Sequence, residues 1–504
     1  MSKHKFSLIF LLFLLGCQDI EIGLKDYPRI KTNLVSDITS DGAQFSAKIL
    51  DIGLSTIVDY GFVWGSNETP TFNNYKISSF QQNPIVVEDL EWTANITTDI
   101  TSDIINVRAY IQSENFLVYG NVVQFTGKGS AAPRINNFTP DSCSLGGKKI
   151  VITGEYFSQK KENIKVFIDN EQLILLSVSS DRLVVLTPPV KESGSHKIIV
   201  EVNGVQSISD HFFKLIYPWE KVADFPAEDR DWVSSFIIDD FAYVGGGIED
   251  NYGQIRNDYY KYNPIDNNWS GIQDFSGVPR YAANCIDQKG VVFFGTARDL
   301  RGYNKSLYDA WKYDPESDQW SELINFSKPD ALTHLSGNIS VYNNNLLYVY
   351  FNNINQFWVY DFDAEQWDIL NPPPVDMVGD YVDPYHYLRF GTSRNDNLIF
   401  FSTKLVWSFN PDLNTWSKIN NNGIGIYDFR GIAKDDKAYF YANWYGDLVI
   451  EYDFEERVFL TRAIIPKTTY HPVTFILNDN FYIGLGGSTY SFNNREFWKL
   501  HLNE

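Results

Sequence analysis

Two arginines stand the same distance ahead of a glycine that ends a strand-like run. Arg230 precedes Gly245 by fifteen residues, and Arg280 precedes Gly295 by fifteen. The same count back from Tyr350, Ser402 and Leu485 reaches Leu335, Tyr387 and Tyr470, with His334, His386 and His471 adjacent. A shorter unit offers Tyr427 and Arg430, and Trp232 and Tyr281 lie beside the first two arginines. A guanidinium donates paired hydrogen bonds in a fixed plane, which suits a carboxylate, a sulfate or vicinal hydroxyls. Aromatic faces stack on the apolar face of a sugar ring or hold an apolar side chain. Gathered at one mouth, these side chains would bind a ligand; taken singly, each could equally brace a neighbouring segment.

Signals for catalysis are sparse. The seven histidines are scattered, and no His-Glu-x-x-His or Cys-x-x-Cys spacing marks a metal site. No glycine-rich phosphate loop occurs. Turns such as Asp239-Asp240 and Asn343-Asn344-Asn345 fit hairpins better than calcium sites. No catalytic residue, metal or cofactor is therefore expected.

The elements that would position these residues repeat. Tyr262 is followed seven residues later by Trp269, Tyr313 by Trp320, Tyr360 by Trp367, Phe409 by Trp416, and Tyr452 by Phe459. Successive closing aromatics fall 51, 47, 49 and 43 residues apart. A period near fifty carried by strand-like segments marks a propeller blade of four strands. A sixth copy begins at Trp498-Lys499-Leu500 and is cut short at Glu504, while its missing piece, Trp219-Glu220-Lys221-Val222, opens the region. A ring leaves no unpaired edge only if these two ends meet, so six blades are expected, closed by pairing of the strand near Trp219 with that near Trp498. Runs ending in glycine, such as Phe241–Gly247 and Phe481–Gly487, complete a likeness to the kelch repeat over roughly residues 218–504. Tyr350-Phe351, Ser402-Thr403 and Tyr441-Ala442 depart from it, standing where the family has glycines. The repeated tryptophans read as packing between blades.

The formal net charge of −21 argues against nucleic acid or an anionic membrane surface as the main partner, since both need a basic face. Three cysteines in 504 residues make no disulfide framework. The amino-terminal Lys3, His4 and Lys5, then the apolar run Phe6–Leu15, form an export signal. Leu14-Leu15-Gly16-Cys17 resembles the lipobox of bacterial lipoproteins. That resemblance implies cleavage after residue 16, acylation of Cys17, a tether over 17–26 and a lipid-anchored place in the outer membrane. The acidic residues that follow resemble the surface-export signal of Bacteroidota, implying that the chain faces the cell exterior.

Residues 27–128 alternate as half-buried strands do. Tyr60-Gly61-Phe62-Val63-Trp64 and Val107-Arg108-Ala109-Tyr110 resemble a fibronectin type III-like module. After a Gly/Ser/Ala joint, residues 133–216 carry Phe138-Thr139-Pro140, Gly146-Gly147, Val151-Ile152-Thr153-Gly154 and Thr187-Pro188-Pro189. Their order resembles the IPT/TIG immunoglobulin-like domain. The expected fold is thus all-β: two small β-sandwich domains, then a six-bladed kelch-like β-propeller over 217–504. Anchor, small β spacers and a distal binding domain together resemble surface glycan-binding lipoproteins, which implies a non-catalytic capture of a glycan or surface protein at the propeller mouth. Two alternatives remain. One is a mutarotase resembling the kelch-type N-acetylneuraminate epimerases, with Arg230, Arg280 or Arg430 gripping a carboxylate. The other is a protein-binding subunit of an outer-membrane complex.

Overall fold

The computed structural model describes residues 25–502, apart from 39–41, 73–75, 80–90, 97–103, 128–131, 250–252, 300–301, 325, 327–337, 353, 375–387, 421–422, 426–428, 443–446, 468, 470 and 488–493. The chain is all-β: among these residues one short 3-10 turn, Lys161–Asn163, is the sole helical element. No helix among them is long and apolar enough to cross a membrane.

The first domain packs the sheet Arg29–Thr32, Ala43–Asp51 and Glu91–Ile96 against a second sheet built on Ile57–Gly65 and Ile104–Ser113. Alternation of buried and exposed residues along Ala43–Asp51 and Glu91–Ile96 turns one face inward. Phe45, Phe62, Trp64 and Trp92 fill the core, with Phe45 meeting Phe62 and Trp64 of the opposite sheet edge-on. The second domain has its own core of Ile150, Ile152, Val166, Leu183, Val185, Val200 and Phe213. Cys143 and Cys285 are free thiols in different domains.

From Trp219 onward the described strands form six four-stranded antiparallel sheets and one two-stranded ribbon, Thr296–Arg298 with Asn304–Ser306. The first five are consecutive in sequence, opening with Ser234–Ile238, Asn284–Ile286, Asn338–Asn343, Leu388–Arg394 and Phe429–Lys434. The sixth takes Val473–Leu477, Asn480–Gly484 and Phe497–His501 from the carboxyl end and Trp219–Val222 from the start of the region. Its register sets Trp219 opposite Leu500 and Lys221 opposite Trp498. Opening strands of neighbouring sheets lie against one another, sixth against first included. Between the second and third sheets the link is a side-chain bond from Asn284 to Asn338.

The seven-residue spacing has a direct cause. Third and fourth strands form a tight hairpin, and Tyr262 faces Trp269 across it, as Tyr313 faces Trp320, Tyr360 Trp367, Phe409 Trp416 and Tyr452 Phe459. The ring centroids of these pairs are 4.8, 5.1, 5.1, 4.9 and 4.7 Å apart. Each hairpin turns through one residue of positive φ, Asn267, Asp318, Glu365, Asn414 or Arg457, just before its closing strand. The indole N–H then reaches the preceding sheet: Trp269 donates to Ala223 O, Trp320 to Gln273 O and Trp416 to Asn371 O, at 3.0, 3.0 and 2.9 Å.

The second domain is seated on the fifth sheet. Leu145 is buried in a cluster with Trp219, Tyr439, Val449 and Ala463. Gly146 N donates to Arg462 O at 2.8 Å, and Arg462 Nη1 returns a bond to Gly146 O at 2.9 Å. The same guanidinium clasps Glu451 at 2.6 and 3.0 Å, and Lys437 adds a bond to Glu451 at 2.8 Å. This buried network ties the two units across their boundary.

Candidate functional site

The segments that lead into the opening strands share one construction. Arg230 Nη1 and Nη2 hold Asp258 at 2.6 and 3.1 Å, and Nη1 also donates to Gly246 O at 3.4 Å. Arg280 repeats this with Asp309 at 2.9 and 2.8 Å and with Phe294 O at 2.9 Å. In the sixth sheet Thr469, four residues before its opening strand as the arginines are before theirs, donates to Leu485 O at 2.7 Å. These three residues pin the entering segment to the chain leaving the second strand.

The arginine pair is therefore a correction to the sequence expectation. Arg230 is 2% exposed and Arg280 1%, and their donors are turned onto protein carboxylates and carbonyls. A buried guanidinium needs such partners, because burying it unpaired would be far costlier. Burial raises the pKa of Asp258 and Asp309, but the bonds and charge of the arginines outweigh it and hold both carboxyls below the usual range.

Two residues beyond each pin the backbone turns through positive φ, at Trp232 (55°), Ala282 (53°) and His471 (51°). This bend swings two of the expected residues together. Trp232 and His471 stack with centroids 3.8 Å apart and planes 23° from parallel. Arg430, on the opening strand of the fifth sheet, places its guanidinium carbon 4.6 Å from the Trp232 ring centroid. Three consecutive sheets, fifth, sixth and first, thus contribute one half-buried group of indole, imidazole and guanidinium. Ala282 N donates to Trp232 O at 2.9 Å and ties the first entry to the second, where Tyr281 is half-buried. Burial pushes the Tyr281 phenol up, and Arg298 nearby pulls it back. The arrangement offers donors set around flat faces, the chemistry that grips a polar, ring-shaped or planar ligand. No group of three or more His, Cys, Asp or Glu that could hold a metal occurs among the described residues.

His334, His386, Tyr387, Tyr427 and Tyr470 lie outside the described residues, as does Cys17.

One feature of the site escaped the residue count. The links between second and third strands are long in the first, second and sixth sheets, over 246–258, 294–309 and 485–496. In the third, fourth and fifth they are short, over 352–355, 403–405 and 443–447. Strands alternate in direction, so these links share the edge of the sheet with the entry segments. Among the described residues, Ile248 of the first link bridges Asp231, and Thr296 of the second bridges Tyr281, so these two links run beside the entry segments. Arg298 Nη1, donating to Gly253 O at 3.5 Å, joins two of them. Glycines mark the same three sheets: Gly245 and Gly484 end second strands, and Gly295 lies two residues past Phe293, inside the link.

Residues 133–213 match the IPT/TIG domain family. That domain is the second β unit described above. A 136-residue stretch, 25% of this chain, is 26% identical to N-acetylneuraminate epimerase of Salmonella enteritidis, and a 100-residue stretch, 19% of this chain, is 33% identical to that of Shigella sonnei. These matches span 34% and 27% of the relatives' lengths, so this chain covers about a third of them or less. Among solved structures, an auxiliary nutrient binding protein from Bacteroides thetaiotaomicron aligns with 74% of this chain and 98% of its own. Its sequence identity is 11% and its TM-score 0.35.

Proposed function

We propose that this chain is a non-catalytic binding protein of the cell surface, lipid-anchored to the outer membrane through Cys17. Its ligand site lies at the mouth of a six-bladed kelch-like propeller. The six sheets described above support the blade reading, and the small β domains, the first fibronectin type III-like, act as spacers. The observation that carries the proposal is the convergence of Trp232, His471 and Arg430 from three sheets. A glycan is the favoured ligand, since hydroxyl-rich rings match donors arranged around aromatic faces. A surface protein presenting a planar or acidic side chain is the alternative within this reading, and could belong to an outer-membrane complex.

The test is a glycan array followed by calorimetry on the protein. Binding that Arg430→Ala and His471→Ala each weaken tenfold or more, with unchanged thermal unfolding, supports the glycan site. An array without a single binder discards the glycan, and stoichiometric recovery of one membrane protein would turn the site to a protein partner.

A sialic-acid mutarotase is the second reading, favoured by the partial likeness to N-acetylneuraminate epimerases. Its substrate carboxylate would meet Arg430 beside Trp232, while Arg230 and Arg280 hold Asp258 and Asp309. Anomeric exchange of N-acetylneuraminate followed by NMR decides it: acceleration that Arg430→Ala removes would replace the binding-only reading.

A further inference from the structure

The two ends of the first domain differ. Its strands run so that residues 29, 51, 57 and 113 share one end, while 43, 96, 104 and 126 share the other. The chain enters at the first end, through Tyr27, and leaves toward the second domain from the other, after Thr126. The entry end collects exposed apolar side chains. Leu54 is 65% exposed in the link between Ala43–Asp51 and Ile57–Gly65, with Val58 just beyond it. Phe116 and Leu117 project from the turn after Ile104–Ser113, and Phe116 meets Tyr27 edge-on at 6.0 Å. These segments are held as one surface: Ser55 Oγ donates to Asp26 O at 2.8 Å and Glu114 N to Thr56 O at 3.1 Å.

Cys17 stands eight residues before Lys25. Eight extended residues reach at most about 28 Å, so an acylated Cys17 would hold this end, and not the exit end, within that distance of the bilayer. We propose that the tip formed by Tyr27, Leu54, Val58, Phe116 and Leu117 lies on the lipid surface and inserts its apolar side chains among the headgroups. The proposal rests on the lipid anchor put forward above. Aromatic and lysine side chains such as Tyr27 and Lys25 suit the interface between headgroups and chains. At this end Arg29 pairs with Asp51 at 3.4 Å and the charge of Lys25 is set against those of Asp26 and Glu114, so the tip carries no net positive charge to draw it to an anionic surface and fits a zwitterionic one. Contact there would set the stalk upright and turn the exit end, with everything beyond it, away from the membrane.

The full lipidated chain, reconstituted in phosphatidylcholine vesicles, tests this with an environment-sensitive nitrobenzoxadiazole dye on Leu54→Cys or, as control, on Ile104→Cys at the exit end. Both variants are made in a Cys143→Ala, Cys285→Ala background, so that the introduced thiol takes the dye. The expected result is a blue shift and at least twofold quenching by brominated phosphatidylcholine at position 54, with neither at 104. Flotation with the vesicles but no change at 54 overturns the tip while leaving the anchor intact. Equal changes at both positions overturn it by showing a domain lying flat. Failure to float with vesicles removes the anchor and this proposal together.

Discussion

The indole N–H of Trp219 donates to Ile464 O at 2.7 Å, across 245 residues of sequence. This is the bond that Trp269, Trp320 and Trp416 make to the sheet before their own, so Trp219 is the closing aromatic of the sixth sheet, supplied from the far end of the region. The strand around it also pairs with Phe497–His501 and covers the edge of that sheet. Trp219→Ala removes the indole bond and opens a cavity beside Phe481, and a buried Trp→Ala change costs about 3–5 kcal/mol. Chemical denaturation should show that loss, and limited proteolysis should show early cutting near both Val222 and the carboxyl terminus. Phe116→Ala, in the first domain, should do neither.

Arg280 and Asp309 predict a different kind of failure. Arg280→Met leaves Asp309 half-buried without its cation, and breaking such a pair from one side costs about 3–5 kcal/mol. Arg280→Met combined with Asp309→Leu should recover most of the loss, because no unpaired charge remains; urea midpoints of the three variants check this. The pair also sets a pH dependence. The folded pKa of Asp309 is lowered, so its contribution is complete above the unfolded carboxylate value of about 4 and is lost as pH falls through the folded value. Acid unfolding of the wild type should thus be steepest below about pH 4, and the double variant should show a shallower slope there.

Much of this was legible in the chain because hairpins keep sequence distance. The seven-residue interval from Tyr262 to Trp269 is a direct cross-strand pair, and the broken copy at Trp498 finds its complement at Trp219. The site was less legible. Counting fifteen back from a strand-end glycine located the entry segments but could not tell a pinning residue from one that is presented. Arg230 and Trp232 are two residues apart, and a single positive φ at Trp232 sends one into an ion pair with Asp258 and the other onto His471. Nor could the count see that Thr469 replaces arginine in the sixth sheet, since a hydroxyl and a guanidinium share no sequence pattern yet donate to equivalent carbonyls.

Gly245 and Gly484 sit where a ring of the third strand lies against the backbone of the second. Each faces the first residue of the third strand, Tyr259 or Phe497, and a Cβ on Gly245 would lie 2.2 Å from Cγ of Tyr259 and 2.5 Å from Asp258 O. In the third sheet the equivalent pair is Tyr350 opposite Phe357, whose rings meet edge-on at 6.4 Å, so a side chain is accommodated there. Gly245→Ala should therefore cost several kcal/mol, at or above the 1–3 kcal/mol typical of overpacking, because the backbone of Asp258 cannot yield freely. The loss should appear as a lowered melting temperature, together with weakened ligand binding, since Asp258 anchors the segment that presents Trp232.

Gly146 is the corresponding position between domains. A Cβ there would stand 2.5 Å from Thr461 O and 2.9 Å from the Pro189 backbone, so Gly146→Ala has no room unless the second domain lifts from the fifth sheet. Lifting would break the paired bonds between Gly146 and Arg462 and admit water to Glu451, which is 1% exposed. Burial raises the Glu451 pKa, yet Arg462 and Lys437 together bring it below its ordinary value, so the network is stable as charges only while it stays assembled. Separation costs those charge-assisted bonds about 1.5–3 kcal/mol each. Calorimetry should then resolve one cooperative transition in the wild type into two in Gly146→Ala. Small-angle scattering should show a longer, more variable particle. A single unchanged transition with unchanged scattering would mean that the second domain is not held by this contact, and that the stalk bends at residue 216 instead.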